Sequence, residues 1–448
     1  MTAAVDAGVR GGSATPAGSR GSAPGLARAI RIDTAAIASA AGLAAAVLQF
    51  AGALKGAPLV AALPFDITVL SLLSLGPLLV LLGLTRRWWV HPLLAPALAG
   101  AGLLWLWLVV AGTWSVSHDI LSAKLPEVVL LAPPMLLAGA MAGADAGARR
   151  AMVAVVLLAG PFVGASVAWG LASGAVVLGG AVGANPDLVR VQYQLAGLVI
   201  ACAAGLGGVR AVEAAGWRGR LFWLGYVAAM GVAVLLPGGR TALLSLGLCV
   251  ALAPAARLWS AARPAAALGW VALVAAGGLL ALGALLLDPA RADGLRTLER
   301  FTQGDVESSA RPALWRAAME WGSAALPWGL GTGGFTLAAG YGERRGLYPH
   351  NHLLEAWAEG GVPGLLGWLL CFGGAVLVPL GRLRRMAPGR LARMLALALP
   401  VLLAAMVSTD LGNRMVWFAL GLVLSCGVVA RRRRGWLPPA DQTRRGSA

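Results

Sequence analysis

Two of the chain's four histidines fall within one four-residue run, Pro349-His350-Asn351-His352. An imidazole titrates near neutral pH, so His350 has the chemistry of a general base for an attacking hydroxyl. Two arginines have the complementary property: Arg240, in Gly238-Gly239-Arg240-Thr241, and Arg311, in Arg311-Pro312-Ala313-Leu314-Trp315-Arg316. Guanidinium groups present planar donor arrays that suit phosphate oxygens. Together the three predict displacement of a phosphate-bearing leaving group, with the arginines stabilising the developing negative charge. Each has a plainer reading beside it, His350 as an interfacial hydrogen-bonding group and the arginines as snorkelling anchors.

Neighbouring residues are expected to support this chemistry. Asn351 suits the N-cap of a helix over 352–359, ending at Gly360-Gly361 before Pro363. That helix is expected to lie at the membrane surface, with Leu353, Leu354 and Trp357 turned toward lipid or protein. His352 is expected to pair with Glu355 one turn on, in a structural or substrate-orienting role. Trp315 shares a helix face with Arg311, and Arg316 either joins the substrate contacts or solvates the loop. On a helix His350, His352 and Glu355 do not converge, and there is no HExxH arrangement, so no metal is expected. The run Gly329-Leu330-Gly331-Thr332-Gly333-Gly334 fits GxGxxG in letters only. It lacks the strand and helix of a dinucleotide fold and reads as a flexible turn whose amides are free to approach a substrate.

What must position these residues is a membrane scaffold. The chain has 448 residues, 58% of them hydrophobic and 12% charged, with a mean hydropathy of +0.77. This composition excludes an ordinary soluble enzyme. Twelve apolar spans are expected near 34–53, 66–84, 94–113, 123–142, 150–169, 192–209, 220–237, 239–256, 266–287, 362–381, 391–409 and 412–430. Their lengths suit helices rather than barrel strands, so the fold class is all-α and polytopic. The apolar stretch 170–185 offers a further re-entrant piece.

Arginines collect after every second span: Arg86 and Arg87, Arg149 and Arg150, Arg210 with Arg218 and Arg220, Arg257 and Arg263, Arg382 to Arg390, then Arg431 to Arg434. By the positive-inside rule both termini are cytoplasmic. The +17 net charge is then a set of topological anchors on anionic lipid, and no nucleic-acid partner is expected. The domain reading is a disordered tail over 1–33, spans one to nine over 34–287, an extracytoplasmic loop with short helices over 288–361, spans ten to twelve over 362–430, and a basic tail over 431–448. The loop balances seven acids against seven arginines between Asp288 and Asn351. Cys202, Cys249, Cys371 and Cys426 each lie in an apolar span and read as buried small residues.

The same residues carry a family resemblance. Gly239-Arg240-Thr241-Ala242-Leu243-Leu244 resembles the arginine motif of the O-antigen ligase and polymerase superfamily. Arg311 to Trp315, followed by Trp328 to Phe335, resembles its arginine-containing loop and glycine turn, departing at Thr332 and the Gly333-Gly334 pair. His350-Asn351 with Gly361 eleven positions beyond is the most specific part, and the resemblance covers about 235–380. It implies a GT-C-like, metal-independent inverting glycosyltransferase of the bacterial inner membrane that needs no cofactor. Its donor would be a polyprenyl-pyrophosphate-linked glycan, used on the extracytoplasmic face. By resemblance His350 is the base, Arg240 and Arg311 contact pyrophosphate, and Asn351, His352, Trp315 and Arg316 lie at the substrate. The acceptor is lipid A core for a ligase and a second lipid-linked glycan for a polymerase, with a protein-directed transferase as a third branch. The balance leans narrowly to the ligase. A transporter or flippase, or a noncatalytic scaffold, are the readings from other classes.

Overall fold

The computed structural model describes residues 33–178, 189–287, 295–298, 311–383 and 385–432. The expected tails over 1–32 and 433–448, and the loop residues 288–294 and 299–310, lie outside the described residues.

The described chain is an all-α polytopic membrane protein built on ten long apolar helices. In chain order the helices are α1 (Thr34–Leu54), α2 (Ile67–Thr85), α3 (Pro92–Trp114), α4 (His118–Ala144), α5 (Ala146–Ala172), α6 (Tyr193–Glu213), α7 (Trp217–Ala233), α8 (Arg240–Ser260) and α9 (Pro264–Leu286). The loop helix α10 (Arg311–Ala324) follows, then α11 (His352–Arg382), α12 (Pro388–Ala405) and α13 (Arg414–Leu424). Two expected spans are met by shorter helices, 220–237 by the 17 residues of α7 and 412–430 by the 11 residues of α13. The first ends at Ala233 and passes into a turn that runs to Gly238, whose φ is 90°. The second stops where the backbone tightens over Ser425–Gly427 and becomes a strand.

Strand is the main departure from an all-helical expectation. Arg86–Val90 pairs antiparallel with Val428–Arg432, and Val176–Leu178 pairs parallel with Val189–Val191. The expected re-entrant stretch is helix through Ala172 and strand over 176–178, and its remainder from 179 lies outside the described residues.

Small residues let the helices approach closely, the usual device where lipid removes the hydrophobic drive for helix association. A Cβ on Gly139 of α4 would collide with the Phe418 carbonyl of α13, and one on Gly421 with the Leu136 carbonyl. Helix α6 is the buried centre of the bundle, whereas the candidate span Pro264–Leu285 of α9 is only 6% buried. Side-chain oxygens of Asp66, Ser117, Asp145, Asn351 and Asn413 cap their helices by accepting from first-turn amides.

Candidate active site

Asn351 opens α11 as expected, its Oδ1 accepting from the amides of Leu353 and Leu354 at 3.0 and 3.1 Å. The helix it opens differs from the expectation. It continues through Gly361 to Arg382 as one column, kinked where Gly361 takes a φ of 58° and a ψ of −148°. Its face carrying His352, Glu355 and Glu359 is buried within the protein. Leu353, Leu354 and Trp357 are only half-buried. Helical spacing aligns 352, 355 and 359 on one face, so the most polar face of the helix points inward.

That face has partners. Lys124 of α4 lies between the carboxylates of Glu355 and Glu359, and side-chain exposures are 4%, 0% and 3%. The second Glu355 oxygen accepts from the Leu411 amide at 2.9 Å, and Glu359 Oε2 accepts from the Gly333 amide at 2.8 Å. His352 meets Thr409 Oγ1 through Nε2 at 3.1 Å rather than pairing with Glu355. Charges this far from water need such pairing. The network ties α4, α11, the glycine turn and the 406–413 loop together.

The glycine turn is a closely packed, hydrogen-bonded wedge. Gly329, Gly331 and Gly333 all have φ near +80°. A Cβ on Gly329 would strike the backbone of Glu359 and Gly361, so only glycine fits. The amides of Leu330 and Gly331 donate to the carbonyls of Ala358 and Glu359 at 2.9 and 3.0 Å. Thr332 Oγ1 donates to the Leu108 carbonyl at 2.6 Å. These amides are thus engaged with protein, not open to a substrate. Trp107 and Trp114 donate from Nε1 to the carbonyls of Gly360 and Gly329, closing the wedge against α3.

His350 stands just outside this framework. Its φ of 54° is left-handed, an uncommon state for a residue with a side chain. The ring lies 4.0 Å from that of Tyr348, whose hydroxyl donates to the Ser408 carbonyl at 3.1 Å. Its Nδ1 is buried and has no hydrogen-bond partner among the described residues. Burial, then the charge of Arg311, lowers the His350 pKa, against weaker opposition from the Ser408 and Gly346 backbone and from Asp410. The imidazole is therefore held neutral, with a lone pair available for a proton. Burial, followed by the nearby Asp410 and Glu355 charges, raises the Tyr348 pKa well above the phenol range, so its hydroxyl keeps its proton.

Arg311 begins α10 and is close enough to act electrostatically on both His350 and Tyr348. One turn on, Trp315 buries an indole N–H with no acceptor among the described residues. Arg316 is exposed, with its Nε directed at the Pro312 carbonyl of its own helix. Arg240 is the first residue of α8. Cys249 of α8 lies against the Ala396 carbonyl of α12, and Arg257, farther along α8, shares Glu213 with Arg393 near the start of α12. The two helices are therefore antiparallel. Nine residues back from Cys249 and nine on from Ala396 bring Arg240 level with Ala405, just before the Ser408–Thr409 segment. Helix register thus puts Arg240 at the His350 end of the bundle, while electrostatic proximity joins Arg311 to His350.

Residues 225–369 match the family described as O-antigen ligase. The chain carries an O-antigen ligase domain. No curated protein matches the chain. The O-antigen ligase domain includes Arg240, Arg311 and His350, whereas Lys124 and the Ser408–Leu411 segment lie outside its match. Those outside residues, with Glu355, Glu359 and Tyr348, are what sequence reasoning missed or misassigned. Lys124 did leave a signal: it is one of the chain's two lysines and sits within an apolar span, a placement that calls for a buried partner. The four cysteines are free and buried, as expected.

Proposed function

We propose that the chain is a metal-independent inverting glycosyltransferase that moves a glycan from a polyprenyl-pyrophosphate carrier to a hydroxyl of lipid A core. Its site would lie on the extracytoplasmic face of a bacterial inner membrane, with both termini cytoplasmic. The observation that carries this reading is a half-buried His350, its buried Nδ1 without a partner among the described residues, within electrostatic reach of Arg311 and inside the O-antigen ligase match.

In this reaction the acceptor oxygen attacks the anomeric carbon while His350 takes the hydroxyl proton. The bond from that carbon to the pyrophosphate oxygen breaks, and the polyprenyl pyrophosphate leaves with the electron pair. Arg311 and Arg240 offset its growing charge. Attack opposite the leaving group inverts the anomeric configuration. Tyr348 packs the His350 ring, and Asn351 and His352 anchor the backbone that carries it.

The test is donor consumption by purified, detergent-solubilised protein given a matched polyprenyl-pyrophosphate glycan, with and without lipid A core. Transfer only with core, abolished by His350→Ala, is the expected result. Elongation of the donor alone would identify a polymerase of the same family instead. A folded protein that consumes no donor in either arm would remove the transferase reading.

A further inference from the structure

Ion pairs and electrostatic coupling bring Arg86, Arg149, Arg257, Arg382, Arg390 and Arg393 together at the end of the bundle opposite Arg240. Two carboxylates answer them among the described residues. Asp145 pairs with Arg86 at 2.8 Å, and Glu213 takes both Arg257 and Arg393 at 3.0 and 2.6 Å. Arg149, Arg382 and Arg390, on three different helices, all act electrostatically on Cys426, and Gly143, whose carbonyl Arg149 bonds, packs against Ser425, whose carbonyl Arg390 bonds. Arg390 and Arg393 both repel Arg149, which Asp145 offsets in part, and Arg382 repels Arg390.

Their protein contacts solvate these charges without cancelling them. Arg149 donates to the Gly143 carbonyl at 2.7 Å, while Arg390 donates to the carbonyls of Ser425 and Val428. The Nε–H groups of Arg382 and Arg390 are buried with no partner among the described residues. Buried donors left unmade are costly, and packed like charges add to that cost. A multi-oxygen anion would satisfy both demands at once.

A second, independent feature lies alongside. An almost wholly apolar cavity of about 720 Å³ starts next to the arginines, lined there by Leu380, Leu383 and Leu391. It runs between α8 and α9 on one side and α11 and α12 on the other, reaching Met406 near the far end.

We propose that Arg149, Arg382 and Arg390 bind the phosphate of an anionic phospholipid, whose acyl chain lies in the adjoining apolar cavity. A free phosphate would use the arginines alone, so the cavity favours the lipid. This site is at the opposite end from His350 and does not depend on the glycosyltransferase reading.

The experiment is native mass spectrometry of the full-length protein in detergent, supplied with phosphatidylglycerol, phosphatidylcholine or inorganic phosphate. Phosphatidylglycerol should be retained in preference to phosphatidylcholine. With two of the three guanidinium contacts to the headgroup removed, Arg149→Gln with Arg382→Gln should lower retention by about tenfold or more. Arg87→Gln and Arg431→Gln, both at exposed positions, should leave it unchanged. Arg382→Gln alone spares the Arg149 and Arg390 carbonyl contacts and should still reduce retention in a protein that elutes as a single species. Equal losses from the exposed variants, or no preference for phosphatidylglycerol, would overturn the site. Phosphate displacing the lipid at equal concentration would assign the arginines to a soluble anion and overturn the lipid occupant.

Discussion

At His350, burial and the neighbouring Arg311 charge act in the same direction, both disfavouring the imidazolium. The sign gives a pH profile. Transfer should fall on acidification as the base gains a proton, with a midpoint below the ordinary imidazole value of about 6.5. Arg311→Gln removes a charge that favours the neutral ring, so its residual activity should show that midpoint moved upward. Its rate at neutral pH should drop by roughly 10²–10³-fold if the guanidinium stabilises the leaving group. A rate loss with an unmoved midpoint would place Arg311 at the substrate but electrostatically apart from His350. The residue types at this site were legible because histidine is so rare in the chain and each arginine falls between apolar runs. The left-handed backbone of His350 and its packing on Tyr348 were not legible, since both depend on the distant Ser408 segment.

At the scale of elements, α11 shows where local pattern misleads. The Gly360-Gly361 pair followed by Pro363 reads as a helix end. The structure instead absorbs Gly361 as a kink, because a Cβ there would collide with the Pro327 carbonyl of the glycine wedge. Gly361→Ala should therefore destabilise the protein by about 1–3 kcal/mol from backbone strain alone. Gly102→Ala, inside α3 with open space around it, should be neutral or raise the melting temperature through helix propensity. The inward polar face of the same helix was equally hidden, as its partner Lys124 lies more than two hundred residues away. Lys124→Met leaves two buried carboxylates uncompensated and should cost roughly 3–5 kcal/mol in a detergent melt. Adding Glu355→Gln and Glu359→Gln should recover part of that loss. If Lys124→Met alone melts like the native protein, the buried triad is not holding α4 to α11.

For the whole molecule, the polytopic helical character was legible because lipid imposes a length rule on every crossing helix, although only ten of the twelve expected spans are met by helices long enough to cross. The short strands were not, because Arg86–Val90 and Val428–Arg432 pair across almost the whole sequence. Orientation is the property on which the proposed reaction depends, and the bundle offers a clean way to measure it. All four native cysteines are buried, so a thiol reagent should find little background. Arg344 lies exposed in the segment leading to His350, and Arg150 is exposed near the arginine cluster at the other end. In intact cells a membrane-impermeant maleimide should label Arg344→Cys at once and Arg150→Cys only after permeabilisation. That outcome would put the Arg311–His350 site where a translocated lipid-linked glycan can reach it. The reverse pattern would set the site against the cytoplasm and the arginines of α5 and α12 on the outer face, against the charge rule. It would leave the proposed transfer without its expected substrates, whatever the geometry around His350.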